Sequence, residues 1–271
     1  MVKNKSKGNS KDNSKGKSKK TGRKKYKKYK RGKISAGSYA LNKWLYGGYE
    51  KGVISTFYGP AGSGKTNLCI LAAVSQAKKG NKVLYIDTEG GFSTGRVKQV
   101  LANDEKLDQT LENIVLLKAT SFKEQKKIFN NLDKRLKGNV NLIIVDGMTM
   151  LYRLELGDAI KAKEDEKIRN VNRELANQMK ILAALARKNN IPVLATNQVY
   201  SNFIDKGEGK RKEKKYRMVG GDIMKYWSKC IIELTKEGKV RKARLVKHRS
   251  QPEKELDFYI TNKGIKKKGF F

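Results

Sequence analysis

At 271 residues, the chain is long enough for one well-buried core with an appendage. Its 62 lysines and arginines outnumber 26 aspartates and glutamates, for a net charge of +36, which points to a polyanionic partner, nucleic acid first; the alternative is the solvated surface of a Lys-rich, hyperthermophile-like proteome. One histidine, His248, excludes a His-based metal cluster; two cysteines, Cys69 and Cys230, lie in apolar runs with neither disulfide nor zinc spacing; no stretch is apolar enough to span a membrane or serve as a secretory signal.

Residues 1–33 hold sixteen lysines and arginines against one aspartate, with almost no apolar side chain beyond Tyr26 and Tyr29. Such a segment cannot bury enough surface to offset its ordering entropy, so a disordered basic tail is predicted. It reads as an electrostatic arm on nucleic acid, or else as a solubilising or targeting tail. Residues 34–271 are predicted to form a single α/β core domain.

Tyr39–Leu45 has helical spacing and stops at Gly47-Gly48. Val53–Tyr58 reads as a buried strand and Asn67–Val74 as a helix. Between them stands Gly59-Pro60-Ala61-Gly62-Ser63-Gly64-Lys65-Thr66, a G-x-x-x-x-G-K-[ST] phosphate loop. Its glycines let backbone N–H groups curl around phosphates, Lys65 adds a full charge, and Thr66 offers a hydroxyl to Mg²⁺. ATP and Mg²⁺ are therefore the expected cofactors, with 59–66 and Asn67 as the nucleotide-binding stretch.

Val83–Asp87, Leu142–Asp146 and Val193–Asn197 are three more continuous apolar runs, separated by helical patterns that include Phe122–Leu136 and Asp165–Arg187. This alternation predicts an α/β fold: a mostly parallel twisted sheet with helices on both faces. Cys230–Leu234, Lys242–Lys247 and Leu256–Ile260 read as short strands of a C-terminal antiparallel extension, turning at Gly238 and near Pro252.

Asp146 ends an apolar strand, the Walker B position, where its carboxylate would hold Mg²⁺ beside Thr66. Glu89 follows the strand expected to neighbour the phosphate-loop strand and would act on the attacking water. Gln198 follows Asn197 and is placed to touch the γ-phosphate and to couple nucleotide state to the segment beyond it. That segment, 200–219, reads as a long structureless loop. Phe203, Lys206, Lys210, Arg211, Lys212, Lys214 and Lys215 combine charge with a stacking ring, as single-strand binding requires. A solvated charged loop is the alternative.

From Ile34 onward the chain resembles the RecA/RadA recombinase family, in particular its short archaeal RadB branch. The resemblance rests on LYGGYEKG (45–52), YGPAGSGKTN (58–67), YIDTEGG (85–91), LIIVD (142–146), TNQV (196–199), Gly220-Gly221 and KHRS (247–250). It implies a RecA-like ATPase acting in recombination and DNA repair. In that family the counterpart of Glu89 activates water, that of Gln198 relays nucleotide state, and the following loop contacts DNA. Arg96 matches an arginine lying against adenine. Residues 153–166 occupy the place of the first DNA loop, but carry mixed charge. Neither a helix-hairpin-helix domain nor a Phe-x-x-Ala segment is found, which fits an accessory protein with slow hydrolysis.

Lys247-His248-Arg249 resembles the Lys-x-Arg element of KaiC-like and DnaB-like ATPases, where both cations reach a neighbour's γ-phosphate; strand alternation would put Lys247 and Arg249 on one face. An oligomeric motor of that kind is one alternative, and a DNA-coating protein with ATP as a structural switch is another. The resemblance implies DNA, single-stranded by preference, as partner, and a RadA-type recombinase, a Holliday-junction resolvase or a replicative polymerase as protein partners. Self-association through the nucleotide interface is also expected; the lack of a long apolar stretch predicts no membrane contact, and two buried reduced thiols fit a cytoplasmic, nucleoid-associated location.

Overall fold

A computed structural model describes residues 32–102, 104–136, 138–204 and 213–269. Residues 1–31 of the basic tail lie outside the described residues, as do Lys206, Lys210, Arg211 and Lys212. Lys33 already belongs to the folded body. It opens β1 (Lys33–Ile34), which pairs with β2 (Tyr49–Glu50), and α1 (Tyr39–Trp44) lies between the two.

The body is built by alternation. β3 (Ile54–Tyr58) leads to α2 (Lys65–Ala77), and β4 (Lys82–Asp87) to α3 (Thr94–Leu101) and α4 (Leu107–Glu112). β5 (Ile114–Lys118) precedes α5 (Phe122–Asn130) and α6 (Leu132–Arg135). β6 (Val140–Asp146) precedes α7 (Met150–Lys161) and α8 (Asp165–Asn189). β7 (Val193–Asn197) opens into a ribbon of β8 (Val199–Ile204) and β9 (Glu213–Met218), then α9 (Gly221–Trp227). Four strands finish the chain: β10 (Ser228–Glu237), β11 (Val240–His248), β12 (Lys254–Thr261) and β13 (Gly264–Lys267).

Nine strands form one sheet in the order β13-β12-β11-β10-β3-β7-β6-β4-β5. From β10 to β5 every pairing is parallel, and from β10 to β13 every pairing is antiparallel. The expected architecture is therefore present, including the antiparallel extension. All five residues of β3 and of β7 are buried, as strands covered on both faces must be. One face packs Phe57, Leu68, Leu71, Tyr85, Leu142 and Phe258 together; the other packs Ile54, Ile86, Ile143, Leu175, Met179 and Leu182. The 25-residue α8 buries Val171, Leu175, Met179, Leu182 and Ala186, one stripe at helical spacing. Among the described residues, no helix is long and apolar enough to cross a membrane.

Several expectations need correction. β4 does not neighbour β3; β7 and β6 stand between them. The predicted helix 122–136 breaks at Asn131, whose φ of −107° leaves the helical region. The ends of the 200–219 segment are not structureless: Val199 to Ile204 pair antiparallel with Met218 to Glu213. Phe203 pairs with Lys214, and Asn202 with Lys215, so these candidates sit on a ribbon. Most of 153–166 is the helix α7.

Phe258 on β12 is fully buried in the core that also holds α2. Phe258→Ala should lower stability by about 3–5 kcal/mol in a denaturant titration, far more than truncation of the half-buried Tyr259. Equal, small effects would mean the extension is not part of this core.

Candidate nucleotide-binding site

Parallel pairing aims the carboxyl ends of β3, β4, β6 and β7 at one edge of the sheet, where open α/β folds bind ligands. The loop 59–64 leaves β3 there. Gly59 has no alternative: a Cβ on it would lie 2.0 Å from Leu234 O of β10. Gly64 caps α2 in the left-handed region at φ 103°. Lys65 is buried, and its Nζ donates to Gly59 O at 2.9 Å and Pro60 O at 3.1 Å. Burial lowers its pKa, while the charges of Glu89 and Asp146 work against that shift. The ammonium thus rests on the loop's own carbonyls, within reach of whatever anion the loop encloses.

Asp146 is 1% exposed. Tyr85 Oη donates to its Oδ2 at 2.9 Å, Thr196 Oγ1 to its Oδ1 at 2.7 Å, and the Thr66 hydroxyl bonds it as well. Burial pushes its pKa up, and the bonds from Thr196, Tyr85 and Thr66 pull it back. The Thr196 hydroxyl also accepts from Gly147 N at 2.7 Å. Gly147 has φ 92°, and a Cβ there would meet Thr88 Oγ1 at 2.3 Å and Glu89 Cγ at 2.7 Å.

Glu89 is positioned by Asp87. Asp87 Oδ1 accepts from the backbone N–H of Glu89, Gly90 and Gly91 at 3.1, 2.8 and 3.2 Å, and its Oδ2 accepts from Phe92 N at 3.0 Å. Gln198 Nε2 donates to Glu89 Oε2 at 3.2 Å, while Oε1 is buried with no partner. Burial raises the Glu89 pKa, and the charge of Asp146 adds to the rise. The structure therefore brings Lys65, Thr66, Glu89, Asp146 and Gln198 to one edge. Tyr85, Asp87, Gly147 and Thr196 hold them there, and sequence reasoning assigned none of these four a role. The signal was available for Asp87 alone, because an aspartate at a strand end followed by two glycines marks a turn bonded to its own side chain.

Arg96 takes a different course. Its Nη1 donates to Gln99 Oε1 at 3.0 Å and Asn262 O at 3.1 Å, and its Nη2 to Gly264 O at 3.4 Å. It is held against the β12–β13 turn. Ile260 of the same hairpin approaches Gly64, so this turn borders the phosphate loop.

Lys247 and Arg249 belong to the opposite edge. Ile231, the partner of Lys247, also pairs with Thr56 on β3, on the amino-terminal side of the loop. β11 ends at His248, so strand alternation does not govern Arg249. Lys247 Nζ donates to Lys225 O at 2.7 Å, whereas Arg249 forms an ion pair with Glu50. Arg249 lines a cavity of about 500 Å³ with Arg187, Lys229, Tyr226 and Trp227; Tyr226 is 70% exposed.

A parallel sheet whose central strand feeds a G-x-x-x-x-G-K-T loop, with a buried strand-end aspartate two strands away, defines a phosphate-loop protein of the RecA type. The Rad51 family profile matches residues 27–268, and the chain belongs to that family. It is 41% identical over 225 residues to the DNA repair and recombination protein RadB of Methanocaldococcus jannaschii, covering 83% of this chain and 98% of that protein. Against the protein of the same name from Methanobrevibacter smithii it is 38% identical over 239 residues, covering 86% and 95%. A crystal structure of the RadB recombinase superposes with a TM-score of 0.66 at 32% identity, covering 86% of this chain and 98% of that one.

Three outcomes follow from the site. Asp87→Ala removes four backbone acceptor contacts and should cost about 2–4 kcal/mol with loss of hydrolysis, read by thermal melting and ATP turnover. A base works only when deprotonated, so if Glu89 serves as the base, turnover should fall as pH drops through its raised pKa. The acid limb then lies above the ordinary 4.5. The same shift means the folded chain binds that proton more tightly than the unfolded one. Its stabilising contribution is greatest at low pH and is lost as pH rises through the folded-state pKa, so Glu89→Gln should raise Tm at pH 7.

Proposed function

We propose that this chain binds ATP with Mg²⁺, hydrolyses it slowly and binds DNA in homologous recombination and repair. The observation that carries this reading is the Gln198–Glu89 bond, formed beside Lys65, Thr66 and Asp146 at the end of a phosphate loop. The residues fit the cofactors. Loop N–H groups and Lys65 suit phosphates, and Arg96 and Asn67 complete the nucleotide contacts. Thr66 and the buried Asp146 suit a magnesium ion that keeps much of its water shell and takes few protein oxygens. No cluster of three or more metal-ligating acids, histidines or cysteines occurs among the described residues, and none is needed. Held by Thr66 and Asp146, such an ion would offset the charge that develops on the phosphates.

Glu89 Oε1 takes the proton of the attacking water. Gln198 leaves Glu89 for the γ-phosphate and shifts the ribbon that it begins. Phe203, Lys206, Lys210, Arg211, Lys212, Lys214 and Lys215, with the tail, then meet DNA through charge and stacking. Single strands suit the ring of Phe203 better than duplex does. On this reading its protein partners are a RadA-type recombinase, a Holliday-junction resolvase or a replicative polymerase. The chain then acts in the cytoplasm on the nucleoid.

A second reading, an oligomer with Lys247 and Arg249 supplied to a neighbour's nucleotide, is favoured by Arg187, Lys229 and Arg249, three cations that line the 500 Å³ cavity on the edge opposite the loop. In that arrangement self-association runs through the nucleotide interface. Sedimentation with ATP but without DNA separates the two: a closed ring supports the oligomeric motor, and a monomer or dimer opposes it.

The main reading is tested by ATP turnover with and without single-stranded DNA across a salt series. Glu89→Gln should lower turnover by about 10²-fold or more, and DNA binding should weaken steeply with salt. Hydrolysis unchanged by Glu89→Gln would leave ATP as a structural switch only, and a shallow salt slope would count against the lysines as phosphate contacts.

A further inference from the structure

Asn197 ends β7 and is completely buried. Its Nδ2 donates to Val219 O at 2.8 Å, across 22 residues of chain. Val219 N in turn donates to Gln198 O at 3.3 Å. Val219 is 2% exposed, so its carbonyl has no solvent to turn to if the amide is removed. Both backbone groups of Val219 are therefore held by two consecutive residues, Asn197 and Gln198.

The position of this clamp gives it meaning. β8 leaves from Val199, directly after Gln198, and β9 returns through Met218, directly before Val219, with Val199 and Met218 as the first pair of the ladder. The two strands of the ribbon thus share a base, fixed at the residue that bonds Glu89. On the far side, Gly220 turns at φ 63°, and a Cβ there would lie 2.8 Å from Leu175 Cδ2. The return path is confined on that side by the helix α8. The other end of the amide, Asn197 Oδ1, is buried with no partner, as is Thr149 Oγ1. Asn197 is held through its donor alone.

We propose that Asn197 is a positioning residue that locks the base of the β8–β9 ribbon to the nucleotide-sensing end of β7, so that movement of Gln198 reorients the ribbon as a unit. The inference rests on the reading of Gln198 as the sensor and of the ribbon as a DNA contact. Without the Asn197 donor, Gln198 would still respond to nucleotide, but beyond the ladder the root of β9 would be tied to it only by the 3.3 Å bond from Val219 N to Gln198 O, which loosens the coupling. Coupling of this kind is reciprocal: if nucleotide tightens DNA, DNA tightens nucleotide by the same factor.

The test uses the full chain carrying Asn197→Ala and, as a near-isosteric change without a donor, Asn197→Leu. Three quantities are read: affinity for Mg²⁺ with a slowly hydrolysed ATP analogue, affinity for a labelled oligothymidylate with and without that analogue, and hydrogen exchange across 199–204 and 213–219. In the unaltered chain, nucleotide should change DNA affinity by about fivefold or more. In both variants analogue affinity should stay within about twofold, while the DNA affinity ratio collapses towards one. Exchange in 213–219 should rise and cease to respond to nucleotide. Variants that keep the full ratio overturn the role of Asn197 and leave Gln198 as sensor. Parallel loss of analogue binding, DNA binding and protection throughout the chain also overturns it, because that is what a purely structural amide would give. A ratio of one in the unaltered chain overturns the sensor reading itself.

Discussion

A carboxylate withdrawn from water must be matched by donors, and Asp146 is matched by three. Tyr85 comes from β4, Thr196 from β7 and Thr66 from α2, so one buried side chain on β6 ties together four elements that meet nowhere else in sequence. The arrangement fixes the distance between the phosphate loop and the strand ends that serve it. It also leaves an anion beside a threonine hydroxyl and a buried ammonium, which is the electrostatic setting a magnesium–triphosphate requires. Removing any one donor would leave a buried charge less well compensated, and the neighbouring strands would lose the contact that aligns them.

Around this carboxylate the site is layered. Asp87 spends all its acceptor capacity on four backbone N–H groups, which shapes the 88–92 turn and delivers Glu89. Gly147 leaves room for that glutamate where any side chain would collide with it. Gln198 then closes the edge from the other side, 109 residues away in sequence. The groups that would do chemistry are thus held by groups that do none. Gln198 directly precedes β8 (Val199–Ile204), and β9 (Glu213–Met218) and α9 (Gly221–Trp227) come next among the described elements, so a displacement of Gln198 would enter these elements first.

The fold was legible where burial on both faces left an unmistakable mark. β3, β4, β6 and β7 are continuous apolar runs, and the glycine-rich loop stands between a strand and a helix as its chemistry demands. Strand order was not legible, because nothing in 83–87 says whether its neighbour is β3 or β6. β5 escaped because a short Leu-rich run directly after α4 has too few residues to show a period. The ribbon escaped because β8 (VYSNFI) and the charged β9 (EKKYRM) lack the apolar alternation that marks a half-buried strand. Of the site, the residues with chemical motifs were found, whereas Tyr85, Thr196 and Asn197 acquire their roles through partners 61, 50 and 22 residues distant. Arg96 shows the converse limit. Its motif position suggested a purine, and the structure adds what the motif does not show: its Nη groups donate to carbonyls of the β12–β13 turn that borders the loop, while Nε has no partner.

The central claim is that one edge of the sheet grips a magnesium–triphosphate. Calorimetric titration of the purified chain with Mg²⁺ and a non-hydrolysable ATP analogue tests it directly. Saturable binding at one site per chain, abolished by Lys65→Ala and weakened when magnesium is chelated, is the expected result. No heat of binding from the intact chain at saturating magnesium would contradict the account at its base.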